Sequence, residues 1–295
     1  MQKNEVTLGH LAAIFTVAIW STTYISTKIL LGSFHPVEIM VYRFAIGFLA
    51  LLVIGHGSMP LKKKRHELLF ALAGLCGITF YFTLQNIALT YTYASNACVV
   101  ISTAPIFTAL LSRILMGRET RLSVNFFIGF AVAIIGILLI SFNGARMELN
   151  PLGDLLNVCA AIIWGFYSVI TRKISNLGYH TMRSTRKIFF YGLLFMIPIV
   201  LWMDIDFSFA ALAVPENILH LLYLGIGASA VCFFTWNHAI RVLGAVKTSV
   251  YIYLEPAITV VTSMLILGEH ITYLAVIGTV LTMTGLILSE RRARR

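Results

Sequence analysis

Long apolar stretches recur along the chain, with short polar connectors between them. Each stretch approaches the roughly 20 residues that an α-helix needs to cross the hydrocarbon core of a bilayer. A hydropathy window of about 19 residues separates ten of them. They cover residues 8–31, 36–55, 68–90, 95–116, 124–143, 153–171, 188–203, 218–239, 248–267 and 271–289. We therefore predict an all-α membrane protein with ten transmembrane helices and no room for a soluble catalytic domain.

The second half of the chain repeats the pattern of the first half. Specific residues recur at offsets of 144 to 151 positions, among them Trp20 with Trp164, Gly74 with Gly225, Asn86 with Asn237, Pro105 with Pro256, and Gly129 with Gly278. Because each unit holds five spans, an odd number, the second unit must enter the bilayer from the opposite side. We predict two inverted five-helix repeats, residues 1–146 and 147–295, that form one membrane domain with a solute site between them.

Composition and charge support a membrane location. Hydrophobic residues make up 59% of the chain, charged residues 12%, and the net charge is +10. Lys and Arg concentrate in every second connector, so a cytoplasmic N-terminus places about 19 of the 22 on the cytoplasmic side. This alternation follows the positive-inside rule and argues against nucleic acid as a partner of the basic run at 62–65. We expect both termini on the cytoplasmic side of the plasma (inner) membrane.

The sequence offers no pattern typical of an enzyme, a metal site or a cofactor site. The H-E-x-x-H, G-x-S-x-G and P-loop motifs do not occur, and the eight His are scattered. The four Cys lie within predicted spans, without the paired spacing of a zinc site. We therefore expect neither enzymatic activity nor a bound cofactor or metal.

Two long segments resemble the paired signatures of a known family. LTYTYASNACVVISTAPIFTALLSRILMGRE (89–119) and RVLGAVKTSVYIYLEPAITVVTSMLILGEHITYLAVIGTVLTMTGLIL (241–288) are similar to the EamA-type family of the drug/metabolite transporter superfamily, and Trp20, Trp164 and the YRF around Arg43 fit the same pattern. The resemblance covers nearly the whole chain. It implies ten helices in two inverted repeats, with helices 1 to 4 and 6 to 9 around a central cavity, and a role as a bacterial metabolite exporter.

Polar residues at helical spacing suggest which helix faces line that cavity. Thr248, Tyr251, Glu255, Thr259 and Thr262 follow one another at intervals of 3, 4, 4 and 3. Any single Thr or Ser is explained as well by helix packing. Trp and Tyr placed deep in a span, however, can form flat walls for a small amphipathic ligand. The candidate substrate-binding residues are Trp20, Thr23, Tyr24, Tyr81, Gln85, Asn86, Ser102, Trp164, Tyr167, Trp236, Tyr253 and Glu255.

Glu255 is followed by Pro256 inside an apolar span, where both residues are energetically unfavourable. A carboxylate at the bilayer centre costs roughly 2.5 to 3.5 kcal/mol, so the acid must be paired, protonated or facing water. Proline frees a carbonyl one turn earlier, which is tolerated where the backbone lines a cavity. Three roles stay open: proton carrier, substrate ligand, or ion-pair partner of Arg43 or Lys28. Arg43 itself either binds the substrate or braces helices.

These observations favour a secondary-active transporter that exports amino acids or similar small metabolites by alternating access. Export is implied by the resemblance, and the proton gradient is the expected driving force. The alternative is uptake of an organic cation such as a quaternary amine, since deep aromatics with one acid are typical of a cation cage. The expected partners are a small solute, protons and the lipid bilayer, and no nucleic acid. The sequence does not decide between a monomer and a dimer.

Overall fold

A computed structural model describes residues 3–55, 57, 59–92, 94–117, 123–141, 150–205, 207, 209–258, 262 and 273–290, and all secondary structure within them is helical. The first half contains α1 (Lys3–Leu30), α2 (Pro36–Ile54), α3 (His66–Gly74), a π-helical segment (Leu75–Phe80), α4 (Tyr81–Tyr91), α5 (Ala94–Ile101), α6 (Ala104–Met116) and α7 (Val124–Ser141). The second half contains α8 (Pro151–Asn176), α9 (Thr181–Trp202), a 3₁₀ turn (Phe209–Ala213), α10 (Pro215–Leu222), a π-helical segment (Tyr223–Val231), α11 (Cys232–Leu243), α12 (Ala245–Ser249), a 3₁₀ turn (Val250–Tyr253) and α13 (Tyr273–Glu290).

Six predicted spans correspond to helices long and apolar enough to cross a membrane, counted within the described ranges. These are Asn4–Leu30, Pro36–Ile54, His66–Tyr91, Pro151–Asn176, Thr181–Trp202 and Pro215–Leu243. Ala104–Met116, Val124–Leu139 and Val276–Ser289 are shorter apolar helices. The predicted span 95–116 is wrong as one continuous helix, because Ser102 and Thr103 separate α5 from α6. The repeat boundary at 146/147, Thr259 and most of the span 248–267 beyond Ile258 lie outside the described residues.

Proline at the first turn fixes where three of the long helices begin. Pro36, Pro151 and Pro215 each occupy a first-turn position, where the missing N–H costs nothing and the fixed φ suits the helix. At α8 the side chain of Asn150 also accepts hydrogen bonds from Leu152 N and Gly153 N, at 3.2 and 3.1 Å. These caps satisfy backbone donors that would otherwise lack partners.

A glycine at matching positions in the two halves lets the third span of each half pack against a helix of the other half. A Cβ added at Gly74 would lie 2.6 Å from Ile188 O in α9. A Cβ added at Gly225 would lie 2.6 Å from Ile46 Cβ in α2. Both distances are shorter than any real contact, so only glycine fits at either position. A π-helical segment follows Gly74, and a second one includes Gly225.

The helices α7 and α13 pack closely and run in opposite directions. A Cβ at Gly129 would lie 2.5 Å from Gly285 O, and a Cβ at Gly136 would lie 2.6 Å from Gly278 O. Residue numbers therefore rise along α7 as they fall along its neighbour. Small residues at such interfaces let helix backbones approach, which is a common way to join helices in a bilayer.

Basic connectors meet at one end of the bundle, which we call the basic end. Lys62 Nζ donates to Leu177 O at 2.6 Å, Arg172 Nη1 donates to Arg241 O at 2.6 Å, and Arg186 donates to Gly55 O. The N-terminal part of α1 lies there too, since Gly9 packs against Val242. Seven of the 22 Lys and Arg in the charge argument lie outside the described residues: Arg118, Arg121, Arg146, Arg291, Arg292, Arg294 and Arg295.

Candidate functional site

A small cavity of about 30 Å³ lies between helices of the two halves. It is lined by Trp20, Thr23, Tyr24, Arg43, Tyr81, Phe82, Gln85, Ile101, Trp164, Ile252 and Glu255. Eight of these eleven were singled out from the sequence, as substrate-binding candidates or, for Arg43, as a substrate or structural cation. Phe82, Ile101 and Ile252 were missed, because an apolar side chain carries no signal in a chain that is 59% hydrophobic.

Glu255 is held by a hydrogen-bonded chain that starts in the first half. The acid is 4% exposed, and the Tyr24 hydroxyl donates a hydrogen bond to its carboxylate. Gln85 Nε2 donates to Tyr24 OH at 3.3 Å and to Tyr81 OH at 3.0 Å. This buried network supplies polar partners, which an acid removed from water requires.

Arg43 is buried and lines the cavity, yet it also joins the two halves. Its Nε donates to Ser229 Oγ at 2.7 Å, and its guanidinium carbon lies 4.4 Å from the centroid of the Phe82 ring. A cation this close to an aromatic face is stabilised by the ring electrons. Among the described residues no ion pair joins Glu255 to Arg43 or to Lys28, whose Nζ donates to Leu89 O at 2.6 Å instead.

Three tryptophan rings pack against one another beside the cavity, with Trp20 and Trp164 edge to face and Trp20 and Trp236 tilted. The ring centroids of Trp20 and Trp164 are 5.3 Å apart, and those of Trp20 and Trp236 are 5.1 Å apart. Trp20 Nε1 donates to Ala228 O at 2.9 Å, whereas the Nε1 atoms of Trp164 and Trp236 are buried without an acceptor. Trp236 lies behind the first two rings and does not line the cavity.

The candidate Asn86 and its repeat counterpart Asn237 each hold the third span of their half to the beginning of the second span. Asn86 Nδ2 donates to Pro36 O at 3.1 Å. Its counterpart Asn237 donates from Nδ2 to Thr185 Oγ1 at 3.0 Å and accepts from Tyr167 OH at 2.7 Å. Asn86 and Tyr167 therefore make hydrogen bonds between helices, and neither lines the cavity.

Ser102 and Tyr253 also lie away from the cavity. Ser102 Oγ donates to Cys98 O at 2.8 Å, one turn earlier in the chain. Tyr253 is fully buried and packs in a separate apolar cluster, with its ring centroid 6.5 Å from that of Phe130 in α7. Its position is explained by the local 3₁₀ turn, Val250–Tyr253, which changes the direction of successive side chains.

The cavity is too small for a metabolite in this conformation. A volume of about 30 Å³ admits a water molecule, whereas small-molecule pockets usually enclose about 300 to 1,000 Å³. Binding of a solute therefore requires the surrounding helices or side chains to move. Within the described ranges, no group of three or more His, Cys, Asp and Glu is arranged to hold a metal ion.

Comparison with known proteins finds relatives that match this chain over nearly its whole length. The profile described as the EamA-like transporter family matches residues 7–142 and again 151–291. An uncharacterized transporter of Clostridium kluyveri is 30% identical over 95% of this chain and 92% of its own. A probable terminal-alkyne amino-acid exporter of Streptantibioticus cattleyicolor is 26% identical over 95% of this chain and 93% of its own. One crystal structure superimposes with a TM-score of 0.75 at 19% identity, covering 98% of this chain and 97% of the other, which shows a shared fold.

Proposed function

Since the chain belongs to the EamA-like transporter family, we propose that it is a secondary-active transporter that exports amino acids or similar small metabolites by alternating access. The observation that carries this proposal is the central cavity, which takes its lining from both halves and contains one acid, one cation and several aromatic rings. The name of the Streptantibioticus relative, a probable terminal-alkyne amino-acid exporter, supports an amino-acid substrate. The family and the names of the relatives point to a transporter rather than an enzyme.

We propose further that residues 1–146 and 147–295 are inverted repeats. Three observations support this: the family profile matches each half once, the glycines Gly74 and Gly225 make reciprocal contacts across the halves, and α7 runs antiparallel to α13. Under this arrangement the basic end faces the cytoplasm, as the positive-inside rule requires, and both termini lie on that side of the plasma membrane.

The proposed substrate complex follows from the chemistry of the cavity wall. The ammonium group of an amino acid binds at Glu255, the carboxylate faces Arg43, and the side chain packs against the rings of Trp20 and Trp164. A carboxyl group that holds a proton cannot at the same time bind an ammonium group. Competition of the proton and the solute for Glu255 therefore couples export of one to entry of the other.

Flux into proteoliposomes tests this function. A panel of radiolabelled metabolites is offered to the wild type with and without a pH gradient that is acidic inside, and Glu255→Gln is compared with Glu216→Gln. Glu216 is the matched control, because its side chain is 71% exposed and lies outside the cavity. We expect the gradient to drive accumulation of amino acids in the wild type and in Glu216→Gln, and not in Glu255→Gln. Equal, gradient-driven flux in Glu255→Gln would contradict the proton-carrier role.

Uptake of an organic cation is the second candidate, favoured by the Trp20, Tyr81 and Trp164 rings close to a single acid. Competition separates the two without any mutation. If Arg43 binds the carboxylate, a free amino acid should inhibit flux better than its methyl ester or a quaternary amine. Equal or better inhibition by the ester and the amine favours the cation transporter.

A further inference from the structure

The helices α6 and α8 pack against each other, and both carry buried hydroxyl groups without hydrogen-bond partners. Thr108 and Ser112 lie one turn apart on α6, and Ser168 lies on α8; all three are fully buried, and their side-chain oxygens have no partner. A polar group that loses water without gaining a partner raises the free energy of that state. These hydroxyls therefore require an explanation other than stabilisation of the observed packing.

Many hydroxyls elsewhere in the same bundle are satisfied, although those of Tyr42, Thr92, Thr171 and Tyr253 are not. Ser21 Oγ donates to Val17 O at 2.7 Å, Thr185 Oγ1 donates to Thr181 O at 3.0 Å, and Thr16 and Thr235 bond to each other at 2.6 Å across α1 and α11. If the hydroxyls between α6 and α8 only joined helices, they would be expected to bond in one of these ways.

The unpartnered groups form a row that leads from the central cavity. Gly165 on α8 packs against α6, since a Cβ there would lie 3.1 Å from Thr108 N. One turn further along both helices, Ser168 comes to the level of Ser112. At the other end of the row, Trp164 lines the cavity, and its Nε1 also lacks an acceptor.

The row ends at a positively charged cleft at the basic end. This cleft, of about 600 Å³, lies where α6 and α8 end and α3 begins. The described residues that line it include two cations, Arg65 and Lys173, and no acid: Arg65, His66, Leu69, Leu115, Met116, Lys173, Asn176 and Leu177. Positive charge at the mouth raises the local concentration of anionic groups.

We propose that the contact between α6 and α8, which we call the α6–α8 seam, is the route of the solute between this cleft and the central cavity. In this structure the seam is closed, so its hydroxyls are dry. When the two helices separate, Thr108, Ser112 and Ser168 regain water or bind the passing solute. Arg65 and Lys173 attract solutes that carry a carboxylate to the mouth. The proposal rests on the proposed transport function and adds the path to it.

Cysteine labelling tests the path without knowledge of the solute. Ser112→Cys and Ser168→Cys are introduced into the full chain in proteoliposomes and treated with a membrane-impermeant anionic thiol reagent, and labelled peptides are identified by mass spectrometry. Ser21→Cys is the matched control, because Ser21 is equally buried but its hydroxyl is bonded. We expect both seam cysteines to be labelled many times faster than the control. Labelling of both at the rate of the control, in protein that remains folded by size-exclusion chromatography, overturns the proposal.

The mouth is tested by flux once a solute is known. Arg65→Gln and Lys173→Gln should raise KM for a carboxylate solute several-fold and leave kcat nearly unchanged, and added salt should reduce this difference. Lys64→Gln, which removes a neighbouring exposed cation outside the cleft, is the control. An unchanged KM in both cleft variants would contradict the proposed role of Arg65 and Lys173 in attracting the solute. Absence of flux for every solute, with the seam cysteines still labelled, would instead count against the proposed function alone.

Discussion

Replacing the unpartnered hydroxyls of the α6–α8 seam by hydrogen should stabilise the closed seam. In Ser112→Ala and Ser168→Ala the missing atom has no hydrogen bond to lose, because each oxygen is fully buried without a partner. The methyl group that remains keeps the packing, and the cost of a dehydrated hydroxyl disappears. This is the opposite of the usual effect of a serine replacement, which removes a hydrogen bond.

The size of the effect follows from the burial of the two oxygens. An unsatisfied buried polar group costs about 1 to 3 kcal/mol, and a small hydroxyl belongs at the lower end, at about 1 kcal/mol. If the two sites are additive, the double variant favours the closed seam by about 2 kcal/mol. Since about 1.4 kcal/mol is a factor of ten, the ratio of closed to open protein rises about 30-fold.

Cysteine labelling and solute flux both measure this shift toward the closed seam. Thr108→Cys provides a third position in the seam, and its labelling rate should fall about 30-fold when Ser112→Ala and Ser168→Ala are added to it, since only the open form reacts. Flux should fall as well, and the midpoint of thermal unfolding should rise. Ser21→Ala, which removes a bonded hydroxyl, should do none of these. A double variant that labels and transports like the wild type, or that unfolds at a lower temperature, would refute the reasoning.

Three further predictions concern the packing that holds the cavity. Gly129→Ala should lower the midpoint of thermal unfolding, because its Cβ would meet Gly285 O at 2.5 Å; Gly227→Ala, where the nearest atom is 3.6 Å away, should not. Asn237→Ala should cost about 1 to 3 kcal/mol of unfolding free energy, because it leaves the Tyr167 hydroxyl without its acceptor and removes one of the two hydrogen bonds of the Thr185 hydroxyl; a larger loss in Asn86→Ala, measured by denaturant titration, would contradict this. Trp20→Phe should cost about 1 kcal/mol more than Trp164→Phe in the same titration, since only Trp20 Nε1 donates a hydrogen bond; equal losses would refute it.

Hydropathy and the internal repeat predicted the all-helical class and most of the membrane-spanning helices. These features depend on the order of apolar and polar residues, which can be read from the sequence. The break between α5 and α6 was missed, although Pro105 shortly after it removes a backbone donor and disfavours a continuous helix. The π-helical segments were missed for a different reason. A single wider turn changes the register of the later side chains but leaves the apolar pattern unchanged. Tyr253 was chosen as an aromatic residue deep in a predicted span, and depth does not give the direction of a side chain. Here the chain forms a 3₁₀ turn, and Tyr253 packs in an apolar cluster away from the cavity.

The cavity wall combines apolar residues that recur in both halves with polar residues that differ between the halves. Trp20 and Trp164 are repeat counterparts, and so are Ile101 and Ile252 at an offset of 151; all four line the wall. Three of the polar positions have a different kind of residue as their counterpart. At the same offset, Glu255 corresponds to Ala104, Gln85 to Trp236, and Tyr81 to Cys232.

The single acid among the described residues that line the cavity therefore belongs to the second half. A single carboxyl group accepts either one proton or one ammonium group at a time. A symmetric pair of acids would repel each other unless one stayed protonated. Under the proposed function, the difference between Glu255 and Ala104 therefore leaves the cavity with one carboxyl group, which binds one cationic group at a time.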